Sequence, residues 1–273
     1  MISSSQNPKI KLVRASLGRP KERHEVGVFV ADGVRLVEEA FDSNWPIRFV
    51  LYDKTLSDRG KAQVEGLKSR GIEVEEVSTN VMKSLSETET PQGIIAVLKF
   101  TQLPIPKVLN FVLILDLIRE PGNLGTLLRS AAAAGVQVVL LPPETTDAFA
   151  PKVVRAGMGA HFRLPIHAMS WEEIQEQIKG LQVYLADMVG PSCWEMDLRQ
   201  PLALIVGGEA EGASESARKL ANQKVSIPMM RKTESLNAGV AGSVLMFEVV
   251  RQRAGVRRLL SSDSPRSQET SDS

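Results

Sequence analysis

The 273-residue chain holds one cysteine, Cys193. A single thiol excludes a disulfide framework and a zinc site built on cysteines; Cys193 reads as a small, partly buried side chain without chemistry. Net charge is scarce as well. Thirty-three Lys and Arg against 32 Asp and Glu leave +1, so no global field announces nucleic acid and any basic patch must be local. No apolar run approaches the ~18 residues of a membrane span, and the start MISSSQNPKIK lacks an apolar leader core. These absences point to a cytoplasmic protein. The chain has no G-x-G-x-x-G and no P-loop spacing, which argues against a dinucleotide or nucleotide-phosphate cradle. His161 and His167 have no acidic partners at fixed spacing and read as structural.

What is present is the composition of an ordinary globular protein, 43% hydrophobic and 24% charged, long enough for two domains. The first 25 residues are basic. Lys9, Lys11, Arg14, Arg19, Lys21 and Arg23 stand against Glu22 and Glu25, six minus two giving +4. With Ile10, Val13 and Leu17 they suggest a short amphipathic helix. Its charge is either a solvated face or a set of phosphate contacts. From 28 to 98 strands (28–30, 49–52, 73–77, 94–98) alternate with helices (34–41, 58–68). No metal or nucleophile cluster occurs there, and a binding role suits the segment. Leu103-Pro104-Ile105-Pro106 reads as a stiff linker. We place the domains at 1–102 and 103–258, with a Ser-rich disordered tail at 259–273.

The second half shows a stronger α/β pattern. Apolar runs at 111–115 and 136–141 have the character of strands buried on both faces of a parallel sheet. Between them lie the polar loop Arg119-Glu120-Pro121-Gly122-Asn123-Leu124-Gly125 and a helix, 126–134, closed by Gly135. Loops at the C-terminal ends of such strands are the usual ligand site. Arg129 sits among Leu127, Leu128 and a run of alanines; it snorkels, or it has a partner or a function. Lys152, Arg155 and His161, near Gly157 and Gly159, form a segment able to face substrate. An amphipathic helix at 171–178 and a strand at 183–186 follow. The strand at 202–206 then runs into Gly207-Gly208-Glu209-Ala210-Glu211-Gly212. A glycine pair there is either a plain turn or a wall that lets a ligand approach the backbone.

A short strand at 225–227 stops at Pro228, a polar loop spans 231–234, and Ser235-Leu236-Asn237 opens an apolar helix over 238–250. Because that helix is apolar all round, we expect it to be covered on every face.

Asn123-Leu124-Gly125 with Arg129, the 207–212 run, and Ile227-Pro228-Met229 with Ser235-Leu236-Asn237 stand in that order. Together they resemble the three motifs of the SpoU (TrmH) RNA 2′-O-methyltransferases of the SPOUT superfamily. The N-terminal stretches Gln6-Asn7-Pro8-Lys9, 29–33 and 87–93 (ETETPQG) are similar to that family's substrate-binding domain. The resemblance implies a parallel-sheet α/β catalytic domain with a C-terminal trefoil knot. It implies S-adenosylmethionine as cofactor, a homodimer joined through the motif-bearing helices, and ribosomal RNA rather than transfer RNA as substrate; the sequence itself offers no metal-ligand cluster, so no metal is expected. It assigns catalysis to Asn123, Arg129, Glu209, Ser235 and Asn237. Gly207, Gly208, Ile227, Met229 and Leu236 fall to the cofactor; the basic N-terminal segment itself offers Lys9, Lys11, Arg14 and Arg23 as the RNA contacts. Small departures stand at Glu120-Pro121, Gly157-Met158-Gly159 and Ala238-Gly239, where the family more often has Asp-Pro, Ser and Ala, and Val and Ser. The competing readings are a non-catalytic RNA-binding or ribosome-assembly protein on the same scaffold, a transfer-RNA methyltransferase, and an unrelated α/β dehydrogenase, which the missing dinucleotide motif disfavours.

Overall fold

The computed structural model describes residues 1–86, 88, 90–208, 212–230 and 235–259, with backbone only at 255–259. The basic N-terminus forms two helices. In α1 (Pro8–Leu17) the Asn7 side chain caps the Lys9 N–H and Pro8 occupies the first turn. The second, α2 (Pro20–Val26), ends at Gly27 with φ 67°.

Then follow β1 (Val28–Asp32), α3 (Val34–Asp42), β2 (Ile47–Tyr52), α4 (Asp58–Ser69), β3 (Val74–Glu76), α5 (Thr79–Leu85) and β4 (Ile94–Lys99). The four strands order as β1-β4-β2-β3. β4 is antiparallel to both neighbours, and only β2 and β3 run parallel. Side chains alternate across the sheet. Phe29, Ala31, Ile94 and Ala96 face one core with Val37 and Leu67, while Val28, Val30, Ile95 and Val97 face the other with Ile10, Val13 and Met82.

Residues 102–106 have no regular structure. His167 pins them: Leu103 O can only accept, so Nε2 donates to it at 2.9 Å and Nδ1 accepts from Gln102 Nε2 at 2.6 Å. His167 is therefore structural, as expected.

The second sheet takes β5 (Phe111–Asp116), α6 (Pro121–Ala133), β6 (Val138–Leu141), α7 (Pro151–Gly157), a 3₁₀ turn (Ala160–Phe162), β7 (Ile166–Ala168), α8 (Trp171–Gln177), β8 (Gln182–Ala186), β9 (Leu202–Gly207), α9 (Glu215–Leu220), β10 (Gln223–Val225) and α10 (Ala238–Leu259). Six strands order as β10-β8-β9-β5-β6-β7, and every neighbouring pair is parallel. The α/β parallel-sheet expectation holds. Cys193 is buried, and burial raises its thiol pKa.

Three expectations change. The helix after β5 starts at Pro121, not 126, because Pro121 takes the first helical turn; Asn123 is thus helical. The strand expected at 225–227 lies at Gln223–Val225. Helix α10 is not covered all round within one chain. Leu245, Met246 and Val249 are buried, but Val240, Val244 and Phe247 are 48%, 39% and 48% exposed. Their i, i+4, i+7 spacing puts them on one face.

The two sheets share an aromatic cluster. Phe29 of β1 meets Phe149 at 5.0 Å, and Phe100 meets Phe149 edge-on at 4.8 Å. Arg23 crosses the same boundary. Its side chain is 2% exposed, Nε donates to Asp147 Oδ2 at 2.9 Å, and the guanidinium also bonds to Ser16 O. The phosphate contact expected of Arg23 is thereby corrected: a guanidinium buried between sheets and paired there has no face left for RNA. Removing one partner of such a buried pair leaves the other uncompensated.

Candidate active site

The chain leaves β5 toward β6 and β7, then crosses to β8 on the far side of β9. β5 and β9 are therefore neighbours whose connections depart in opposite directions, the switch point where open parallel sheets bind ligands. Their C-terminal ends pair as Asp116 with Gly207.

At this point the glycine pair has an unexpected tenant. A Cβ on Gly207 would lie 2.7 Å from Ala213 N, and one on Gly208 would lie 2.4 Å from Leu117 O. Both contacts are to the protein's own backbone. The glycines are needed first so that the chain can cross over the strand end, and the ligand-approach reading is corrected to that extent. Leu117 lies in the same crossing, held at φ 55°, a conformation that costs a branched side chain energy and persists only where its surroundings impose it.

The first and third sequence motifs meet beside the crossing. Asn237 Nδ2 donates to Asn123 Oδ1 at 3.0 Å across 114 residues of chain. Asn237 also opens α10, its Oδ1 accepting from Val240 N at 3.2 Å. A side chain on Gly239 would come within 3.1 Å of Asn237 Oδ1 and 3.5 Å of Asn123 Oδ1, which accounts for glycine there. Farther along, Ser243 Oγ donates to Gly239 O at 2.6 Å and so accepts from Ser130 Oγ at 2.7 Å, and a Cβ on Gly242 would strike Leu127 Cδ2 at 2.4 Å. α10 thus lies closely on α6.

Arg129 is exposed, and among the described residues no hydrogen bond or ion pair reaches it. Six residues of helix place it about 120° around α6 and about 9 Å along it from Asn123. The two share a helix but not a face. Ser235 is exposed and Leu236 half-buried. Ile227 packs on the core of the second sheet, while Met229 is 44% exposed. Glu209, Ala210, Glu211 and the polar loop 231–234 lie outside the described residues, as do Glu87, Glu89 and the tail from 260 onward.

Asp116 was not among the residues singled out in the sequence. Its signal was there: an acid closing the apolar run of β5. It is 1% exposed. Oδ2 accepts from Ser214 N at 2.6 Å, tying β5 to the start of α9, and Oδ1 has no hydrogen-bond partner among the described residues. Burial raises its pKa, opposed by its hydrogen bonds from Ser214 and by Arg218, with Glu144 adding to the rise. A raised folded-state pKa means that the native protein holds this proton more tightly than the unfolded chain. Stability from this group is full below the unfolded pKa and falls as pH rises through the folded one. Asp116→Asn keeps an acceptor for Ser214 and removes the buried charge. The variant is expected to melt higher than wild type at neutral pH, with the gap closing on acidification. Melting curves with equal gaps at pH of about 4 and about 8 would refute this.

The remaining assignments sort by exposure. His161 is structural as expected. Burial pushes its pKa down to about 4, and Nε2 donates to Ala148 O at 2.7 Å. A Cβ on Gly157 would sit 2.8 Å from its ring, so glycine at that departure makes room for the histidine. Lys9 is held by Glu73 and Glu75, which leaves it little freedom to bind phosphate. Lys11 is exposed, and exposed Arg14 reaches Ser84 Oγ at 3.3 Å.

Residues 110–247 match the model of the SpoU rRNA Methylase family, and residues 7–96 match an MRM3-like substrate binding domain. The chain is 31% identical over 251 residues to the 23S rRNA (guanosine(2553)-2′-O)-methyltransferase RlmP of Bacillus subtilis, spanning 91% of this chain and 98% of that one. It is 30% identical over 271 residues to a 23S rRNA (uridine(2479)-2′-O)-methyltransferase of Streptomyces viridochromogenes, spanning 93% of each. Among solved structures it is similar to the SpoU methyltransferase AviRb of Streptomyces viridochromogenes in complex with AdoMet. The TM-score is 0.81 at 29% identity, over 91% of this chain and 98% of that one. An AdoMet-bound rRNA methyltransferase of Sinorhizobium meliloti gives 0.79 at 30% identity, over 92% and 97%. Family model and full-length relatives agree, and the chain belongs to the SpoU rRNA methylase family.

Proposed function

We propose that the protein transfers a methyl group from S-adenosylmethionine to a ribose 2′-hydroxyl of 23S ribosomal RNA, gripping the RNA with residues 1–102 and reacting it within 103–258. The observation that supports this most is the Asn237–Asn123 hydrogen bond, which joins two distant motifs at the switch point of the parallel sheet. The donor set fits the cofactor. Half-buried Ile227 and Leu236 and partly exposed Met229 offer apolar contact beside the backbone of the β9 and β10 ends. When bound, the cofactor supplies an electrophilic methyl on a sulfonium.

The protein's own task is to hold the hydroxyl in line and let its proton leave, and positioning supplies much of the rate. Arg129 cannot be a base, since guanidinium stays protonated at any ordinary pH. Its planar fork suits a phosphate next to the target ribose. We assign Asn123, Ser235 and Asn237 to orienting the ribose and Glu209 to accepting the proton. The exposed Val240, Val244 and Phe247 face of α10 is assigned to a homodimer.

Calorimetry tests the cofactor assignment. The metal-free protein is expected to bind both S-adenosylmethionine and its demethylated product, and a chelator is expected to leave the heats unchanged. No heat with either ligand, or binding lost to the chelator, would defeat it.

A further inference from the structure

The six basic residues of the N-terminus do not act together. Lys9 is held by two glutamates and Arg23 is buried, whereas Arg19 and Lys21 are exposed at the start of α2. Between them Pro20 lines a cleft of about 740 Å³ that lies between the two sheets, where the loop after β6 meets α2 and the end of β4.

His24 stands in the same cleft. Its ring lies flat on Phe100, 5.0 Å away and 7° from parallel, and its side chain is 61% exposed. Phe100 is backed in turn by Phe149 and Phe29. The stack therefore ends in an open ring on a rigid aromatic base. Among the described residues the lining holds no Lys or Arg, while Glu144, Asp147 and Glu173 belong to it, Asp147 Oδ1 standing 4.0 Å from His24 Nε2. Phosphate is repelled from such an interior. A neutral flat group is not, and Arg19 and Lys21 outside can take the charge.

The cleft's floor is coupled to the active-site loop. Thr145 Oγ1 donates to Leu115 O at 2.8 Å, Thr146 N to Ile118 O at 3.0 Å, and Thr146 Oγ1 to Arg119 O at 2.7 Å. These residues join β5 to α6, which carries Asn123 and Arg129.

We propose that this cleft takes one unstacked nucleobase of the RNA, stacked on His24, with the flanking phosphates on Arg19 and Lys21, and so sets the distance between the gripped nucleotide and the methylated one. The proposal rests on the RNA-methylation reading above. Loss of one base–aromatic stack by alanine substitution weakens binding by roughly five- to a hundredfold.

The test uses the full chain with an oligoribonucleotide of about ten residues carrying one 2-aminopurine, a length within the usual single-strand site range. Wild type is expected to quench its fluorescence. His24→Ala is expected to weaken binding about tenfold with loss of the quench, and His24→Trp, which keeps a stacking face, to restore both. Arg19→Ala with Lys21→Ala is expected to flatten the salt dependence. In methyl-transfer assays the His24→Ala defect is expected mainly in KM for RNA. Wild-type affinity and quench in His24→Ala, or failure of His24→Trp to restore them at wild-type melting temperature, would overturn the proposal. Binding is read without turnover, so a wild type that stacks the base but methylates no RNA would overturn the reaction assigned above and support the cleft.

Discussion

Arg129→Ala is expected to lower the single-turnover rate of methyl transfer by roughly a hundredfold or more at saturating RNA, the scale of loss that follows misplacement of a reacting group. The fold and most of the cofactor affinity are expected to survive, because the side chain is exposed and, among the described residues, makes no hydrogen bond or ion pair. Arg129→Lys keeps the charge but loses the two-pronged planar donor, so it is expected to retain only part of the rate. The contrast between the two variants separates the geometry of the fork from its charge. A near-normal single-turnover rate in Arg129→Ala would remove this residue from the site.

Val244→Arg is expected to give monomers with little activity or a protein of low solubility. Val240, Val244 and Phe247 form an exposed apolar face on a helix whose opposite face, Leu245, Met246 and Val249, is buried. The N-terminus of that helix is Asn237, bonded to Asn123. A charge at the centre of the face therefore disturbs assembly within two helical turns of the site. The helix is unable to retreat inward, since a Cβ at Gly242 would already strike Leu127. Sedimentation at micromolar concentration distinguishes the forms. A wild type that sediments as a monomer would take away the basis for this expectation.

The catalytic half was legible because its strands are short, unbroken apolar runs. Phe111–Asp116 and Leu202–Gly207 differ from their sequence-predicted bounds by one residue. The segments that misled did so for different reasons. Pro121-Gly122 reads as part of a polar loop but opens a helix, because proline in a first turn gives up only an N–H that has no helical partner. Seven-residue α5 (Thr79–Leu85) is too short for a periodicity to show. Strand-helix alternation before 98 left the pairing order open, and β4 inserts antiparallel between β1 and β2, a choice no local pattern encodes.

The site itself divides the same way. The motif order placed Asn123 and Asn237 among the reactive residues, and the fold brings them to 3.0 Å. Arg23 reads like any other basic residue of its segment until Asp147, 124 positions away, claims it. Asp116 stands just beyond the expected strand end, and the fold buries it with one oxygen lacking a partner among the described residues.

The most direct test of the account is the chemical position of the transferred methyl. Purified protein, methyl-tritiated S-adenosylmethionine and unmodified 23S ribosomal RNA are incubated together, and the RNA is digested to nucleosides and separated. The account predicts label in a 2′-O-methylnucleoside, strongly reduced at equal incubation time when Arg129→Ala replaces wild type. Label on a base, or no label in RNA from a protein that binds the cofactor, would contradict it.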